Sequence, residues 1–334
     1  MIIIRPAVAK DLDQLYDLAE RAGPGMTTFP PNHEVLSRKL EAAQAAFAGE
    51  GDSYLMVMED TATGQLLGTS AVYSDIGIDA PFYSFVMLTR TQHCFEYNLR
   101  STSKTLHLVN EYTGDCEVGT LILHPDARGR GLGKLLTKCR YLLLAQFRER
   151  FGARVIAELR GWLNEDHHSP FWEHVGKIFF PGLSFKEADY MSATTNNQFI
   201  ADLMPEYPIY VELLPKEAQD VIGKPHNDGR PAFNMLLQEG FRWENCVDIF
   251  DAGPTVHTRV EDIHTVANSQ LHPVVITDAN TEGFSALLCN TSLAHFRVIQ
   301  DEVSIDADNQ VHISASAASH LQVNQGDNVR LYRL

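Results

Sequence analysis

The stretch Arg128-Gly129-Arg130-Gly131-Leu132-Gly133 has the residue types and the spacing to hold a phosphate group. It follows an apolar run, Val118 to Leu123, and a turn opened by His124-Pro125-Asp126. Beyond it Leu132, Leu135, Leu136, Cys139, Leu143 and Phe147 recur at helical spacing, so the glycines lie between a strand and a helix N-terminus. Glycine there lets the backbone approach an anion, the unpaired N–H groups of the first turn point at it, and the helix dipole adds positive potential. Charge agrees. The chain carries 27 basic and 43 acidic residues, net −16. Yet Arg128, Arg130, Lys134, Lys138, Arg140, Arg148, Arg150 and Arg154 face a single nearby acid, Glu149, which predicts a polyanionic ligand for that face. The acidic remainder argues against nucleic acid, which needs a broad basic surface.

Neither common phosphate loop fits. The glycines run G-x-G-x-G rather than G-x-G-x-x-G, and no Walker G-x-x-x-x-G-K-[ST] occurs in the segment. What remains is Arg128-x-x-Gly131-x-Gly133 behind a strand and a proline, and this resembles the acyl-CoA-binding loop of the GNAT superfamily of N-acyltransferases. The resemblance implies an α+β fold with a mixed central sheet, in which the loop amides hold the coenzyme A pyrophosphate. It also implies that the strand before the loop offers backbone groups of Leu121, Ile122 and Leu123 to the thioester arm. On type alone Leu121 fits an ordinary core leucine equally well.

The elements that position this loop can be read in chain order. Ile2 to Arg5 reads as a strand and Asp11 to Ala22 as a helix, with Leu12, Leu15, Tyr16 and Ala19 on one face. Gly23 to Pro31 reads as a loop, and Asn32 can cap a second helix carrying Val35, Leu36, Leu40, Ala43 and Phe47. Strands are expected at Tyr54 to Glu59, Leu66 to Tyr73, Phe82 to Thr89, Thr105 to Val109 and Val155 to Leu159. Ser169-Pro170 suits the start of a short helix, and Arg230 to Glu239, Gly240-Phe241 and Trp243 to Phe250 read as helix, turn and strand. We expect one elaborated acyltransferase domain over residues 1–258, with a degenerate second half from about residue 196, and a small β-rich domain over 259–334.

Composition is that of an ordinary globular chain, 44% hydrophobic and 21% charged. It has no apolar run of membrane-spanning length and no signal peptide, because Arg5-Pro6 follows Met1-Ile2-Ile3-Ile4 at once. Five scattered cysteines, without a C-x-x-C pair, fit free thiols in a cytoplasmic protein. Glu165-Asp166-His167-His168, His93-Cys94 and His264 to His272 lack the spacing that converges on one ion, so no metal is expected.

A narrower resemblance rests on AELRG (Ala157 to Gly161), SPFW (Ser169 to Trp172), GKIFF (Gly176 to Phe180), LMPEYPIY (Leu203 to Tyr210), AQDVIGKPH (Ala218 to His226), EGFRW (Glu239 to Trp243) and DIFDAGPT (Asp248 to Thr255). Together they resemble the arginine N-succinyltransferases, from the first strand to the closing GDNVRLYRL. Membership would imply transfer of succinyl from succinyl-CoA to the α-amino group of L-arginine, the first step of arginine catabolism by the succinyltransferase route. It would imply His226 as the proton donor; many acyltransferases use a tyrosine here, and Ser169 to Trp172 has none. On type alone His226 is one of 14 histidines and sits in a turn. Carboxylates suit a guanidinium and an arginine suits either carboxylate, so Glu158, Arg160, Asp248 and Asp251 are the candidate substrate ligands. Succinyl-CoA would be a co-substrate, with no resident cofactor. The other readings are transfer to ornithine or another amine, use of acetyl-CoA, and a non-catalytic CoA-binding regulator. A homodimer, or an oligomer with a homologous subunit, is the expected assembly.

Overall fold

The computed structural model describes residues 1–22, 29–277 and 283–334. Part of the loop expected at Gly23 to Pro31 lies outside them. In chain order the strands are β1 (Ile2–Pro6), β2 (Ser53–Asp60), β3 (Gln65–Tyr73), β4 (Ser84–Cys94), β5 (Leu99–Val109), β6 (Cys116–Leu123) and β7 (Arg154–Glu158). They continue as β8 (Ile209–Tyr210), β9 (Arg242–Val247), β10 (Pro254–Arg259), β11 (Ser269–Ile276), β12 (Phe284–Asn290), β13 (Val298–Ile305), β14 (Val311–Ile313) and β15 (Asn328–Arg333). Three helices matter most for the first unit: α1 (Leu12–Ala22), α2 (His33–Ala48) and α3 (Leu132–Gln146). Helix and strand in this order give the α+β class expected of an acyl-CoA N-acyltransferase. No helix among the described residues is long and apolar enough to cross a membrane.

The chain divides into two compact units, each discontinuous in sequence. The first comprises Met1–Ser74, Val118–Ala153 and Arg259–Leu334; the second comprises Asp75–Glu117 and Arg154–Thr258. The boundary expected after residue 258 is one of the points where the chain passes between units. The C-terminal strands beyond it pack with the N-terminal strand, because β13 pairs antiparallel with β1 through Ile4↔Val298.

In the first unit β1, β2 and β3 form an antiparallel run, with Ile4 opposite Met58 and Val57 opposite Thr69. Helices α1 and α2 cover it, burying Leu15, Leu18, Leu36 and Leu40 against Leu55 and Val57. Asn32 starts α2 as anticipated, its side chain accepting the N–H groups of Glu34 and Val35. The C-terminal strands pair in a ring, β12-β15-β11-β14-β13 and back to β12, around Val274, Leu288, Ile299 and Leu331. The β-rich character expected of residues 259–334 is present as β11 to β15. A helix over Ala315–Leu321, capped by Ser314, was not anticipated.

The second unit runs β7-β10-β9-β4-β5-β8. The β4–β5 hairpin is longer than the expected pieces, pairing from Ser84↔Val109 to Cys94↔Leu99. Its outer half is a polar two-faced ribbon, with Thr91 and Thr102 bonded across it at 3.1 Å, and so carries no alternating pattern to read. The strand expected through Phe250 stops at Val247. There the Asp248 carboxylate accepts the N–H groups of Phe250 and Asp251 and turns the chain. Trp172, Phe180 and Phe250 fill the core, with Trp172 stacked on Phe180.

Candidate active site

In the first unit the glycine-rich loop lies between a strand and a helix, where the sequence places it. Strand β6 ends in a short 3-10 turn, Pro125–Ala127, whose Asp126 N–H is taken by His124 Nδ1. Gly129 (φ 75°) and Gly131 (φ 77°) follow in left-handed conformation, and Gly131 is the N-cap of α3. A Cβ at either would meet nothing within 4 Å, so backbone conformation selects glycine while the space in front stays open. Gly133 opens onto the same kind of space, with only Leu123 at 4.0 Å.

The basic residues divide into two groups. Arg128, Arg130 and Lys134 are exposed at the loop, and no described residue pairs with their side chains. The others serve the fold. Lys138 donates to Thr265 at 2.8 Å, Arg140 is buried and bonds Thr137, and Arg148 caps the carbonyls of Phe151 and Gly152. Arg150 bonds Tyr54 and Gly49, and in the second unit Arg154 pairs with Asp115 at 2.6 Å. The cations left unengaged among the described residues are therefore the three nearest the glycines.

Strand β6 contains a feature that sequence reading missed. Thr120 has φ 50°, a left-handed conformation rare for a β-branched residue, and is held there by two bonds. Its hydroxyl meets that of Tyr73 at 2.6 Å, and its carbonyl accepts from Thr69 at 2.9 Å. This left-handed residue lies directly before Leu121, Ile122 and Leu123 and so changes the backbone course of the strand just ahead of the loop. Of these Ile122 is buried, whereas Leu121 and Leu123 are partly open.

In the second unit three of the motif stretches converge. The Asp251 carboxylate, 1% exposed, accepts the N–H groups of Gly161 and Gly253 at 2.8 Å and pairs with Arg160 at 3.2 Å. Arg160 also reaches Asp189 at 2.6 Å and lies over the Phe185 ring. Chain segments here approach so closely that a Cβ at Gly253 would meet the Leu159 carbonyl at 2.0 Å, and one at Gly161 the Asp251 carbonyl at 2.4 Å. That explains the glycines of AELRG and DIFDAGPT. The loop bearing His226 docks on the same turn: Gly223 N–H donates to Ala252, Pro225 bridges Gly161, and His226 N–H donates to the Arg160 carbonyl at 2.8 Å. His226 is half-buried, and its Nδ1 accepts the Asp228 N–H at 3.3 Å, with the Asp228 carboxylate 3.6 Å away. Nε2 therefore carries the proton of the neutral ring.

Glu158 and Asp248 lie in the same region among an excess of acids. Loss of water holds the Glu158 carboxyl well above the ordinary range, reinforced by Asp248, Glu117 and Asp251 and opposed by Arg160. Asp248 is raised too, first by loss of water and then by Asp251. Although neighbours crowd Glu158, its side chain keeps solvent contact, so its loss of water is partial. One arginine serves several carboxylates here, an arrangement that an added cation would relieve. Asp189 and Glu117 were missed by sequence reading. Asp189 sits on an unanticipated helix, Phe185–Thr194, whose signal was available: Ser184 and Glu187 form a capping box. Among the described residues no group of three or more histidines, cysteines or acids is arranged to hold a metal ion.

Residues 2–265 match the family model described as Arginine N-succinyltransferase beta subunit, and residues 270–333 match the model of its C-terminal domain. The chain is 38% identical over 339 aligned residues to the arginine N-succinyltransferases of Escherichia coli O139:H28 and of Shigella flexneri, covering 100% of this chain and 98% of each relative. The structure of arginine/ornithine succinyltransferase subunit AI from Pseudomonas aeruginosa superposes with a TM-score of 0.90 at 34% identity, over 100% of this chain and 98% of that one. With both sequence models spanning nearly its whole length, the chain belongs to the arginine N-succinyltransferase family.

Proposed function

We propose that this protein moves succinyl from succinyl-CoA to the α-amino group of L-arginine by direct attack in a ternary complex, giving N2-succinylarginine and CoA. The observation that carries the substrate side is the acidic region of the second unit. Glu158 and Asp248, with Glu117 close enough to repel Glu158, form a surplus of carboxylates beside a single arginine, and a guanidinium is the planar cation that matches carboxylates in fork geometry. Asp251 and Arg160 are engaged with one another and with backbone groups. Their part in this reading is to position Glu158 and His226 rather than to touch arginine.

On the acyl side, the first-turn N–H groups of α3 take the CoA pyrophosphate, and Arg128, Arg130 and Lys134 supply charge around it. The backbone turned by Thr120 presents Leu121, Ile122 and Leu123 to the thioester arm. Attack forms the N–C bond and breaks the C–S bond. The Nε2 proton of His226 goes to the departing sulfur, and the ring recovers the proton that the amine gives up. No resident cofactor enters this scheme. The protein works in the cytoplasm, where its free thiols, exposed Cys94 and buried Cys116, Cys139, Cys246 and Cys289, stay reduced. It pairs with a second copy or a homologous subunit, for which the exposed Phe95 and Tyr97 at the β4–β5 tip offer an apolar contact.

Incubating the protein with succinyl-CoA and a panel of amino acids that includes arginine and ornithine, while following thiol release and product mass, tests the assignment. Arginine should be consumed to its succinyl derivative. Equal turnover with acetyl-CoA, or faster turnover of a non-cationic amino acid, would overturn it.

A further inference from the structure

The first unit holds a cavity of about 380 Å³ that the acyl transfer does not use. Arg5, Lys10, Glu59, Arg297, Ser319 and His320 are among its lining residues. Its floor comes from two paired strands. Because β1 and β13 run antiparallel with Ile4 opposite Val298, one step further along the register sets Arg5 opposite Arg297, and like charges so placed repel.

The two arginines are treated very differently. Arg5 is fully paired, donating to both oxygens of Asp11 and to Glu59. Arg297 has no hydrogen-bond or ion-pair partner for its guanidinium among the described residues, and its Nε is buried and unbonded. Burial, with Arg5 close by, also holds the Arg297 guanidinium below its ordinary pKa. A buried donor left unpaired costs about 1–3 kcal/mol, more when charged, and such groups are rare unless a ligand completes them.

We infer that this cavity is a second ligand site, separate from the transferase machinery, which binds a small organic carboxylate through the Arg297 guanidinium. A planar carboxylate matches the guanidinium fork. Lys10, exposed at the rim, adds a second positive charge. Glu59 in the wall disfavours the denser charge of a phosphate. The volume admits a molecule of metabolite size. Since β1, β2, Arg297 just before β13 and the Ala315–Leu321 helix all contribute to its walls, a bound carboxylate ties the C-terminal ring to the N-terminal strands.

Succinate serves as the probe, on full-length protein saturated with CoA and with chloride matching the ionic strength. Thermal unfolding should shift upward with succinate in the parent, because a ligand that binds only the folded state stabilises it. Arg297→Met should abolish that shift and weaken succinate binding at least about tenfold by calorimetry. It should not lower the melting temperature of the ligand-free protein, since it removes a cation that faces Arg5 and carries an unbonded buried N–H. Ser319→Trp, which fills the cavity from its exposed rim, should abolish the shift with Arg297 intact, and it decides the matter if Arg297→Met does not fold. No shift in the parent, an equal shift with chloride, or an undiminished shift in the variant that folds would each overturn the proposal.

Discussion

The carbonyl of Arg160 accepts the backbone N–H of His226 at 2.8 Å, while the guanidinium of the same arginine is held by Asp251 and Asp189. The position of the candidate proton donor is thus set by a residue that the candidate substrate region itself locks in place. Asp251 is the keystone, since its two oxygens also take the N–H groups of Gly161 and Gly253. Replacing it by alanine takes a carboxylate partner from a largely buried guanidinium and removes the acceptor of two buried N–H groups. We expect Asp251→Ala to lose about 3–5 kcal/mol in urea unfolding, the range for breaking a buried pair. A loss under about 1 kcal/mol would mean the turn holds without it.

His226→Ala separates chemistry from binding. If Nε2 supplies the proton that the thiolate takes, thiol release should fall by about 10²–10⁴, typical for loss of a positioned acid. CoA affinity, measured by calorimetry, should change by less than about threefold. Unchanged turnover removes His226 from the mechanism. The variant should fold normally, because the side chain contributes only a cap to a one-turn 3-10 segment.

The loop makes the opposite demand. Gly131 has φ 77°, which a β-branched residue adopts only with strain of about 1–3 kcal/mol. Gly131→Val should therefore distort the first turn of α3 and weaken CoA at least about tenfold, with the loss seen in KM for succinyl-CoA. Arg128→Gln should weaken CoA less, and its effect should shrink as salt is raised, since Arg128 is exposed and acts through charge. A salt-independent loss would point instead to a direct, shielded contact.

Much of this was legible in the sequence. The strand, the glycine loop and the helix showed themselves because conformation and periodicity there are local properties. The β-rich character of the C-terminal stretch did so for the same reason. What sequence could not provide was partnership. Lys138, Arg140, Arg148, Arg150 and Arg154 looked like one cationic face with Arg128, and only the fold shows that they serve carbonyls, hydroxyls and Asp115. Arg160 and Asp251 stood out in the sequence only as an arginine and an acid near conspicuous motifs, and residue type could not show that they join each other across segments 91 residues apart. The left-handed Thr120 has no signal at all in its own residue type.

The raised carboxylates make a prediction about pH. Glu158 and Asp248 hold protons more tightly in the folded chain than in the unfolded one. From these two groups, stability therefore falls as pH rises from the ordinary carboxylate range up to their raised pKa values, the reverse of the usual acid-denaturation contribution. Glu158→Gln should flatten that slope and leave the ligand-free protein about 0.5 kcal/mol more stable at neutral pH, a small gain because Glu158 keeps solvent contact. The same change should weaken arginine. A guanidinium is bound by ionised carboxylates, so arginine binding to the parent should release protons, and its affinity should rise with pH through the raised range. Calorimetry in two buffers of different ionisation enthalpy reads that release directly. If arginine binds with no proton exchange, and as tightly to Glu158→Gln as to the parent, the acidic region is not where its guanidinium sits.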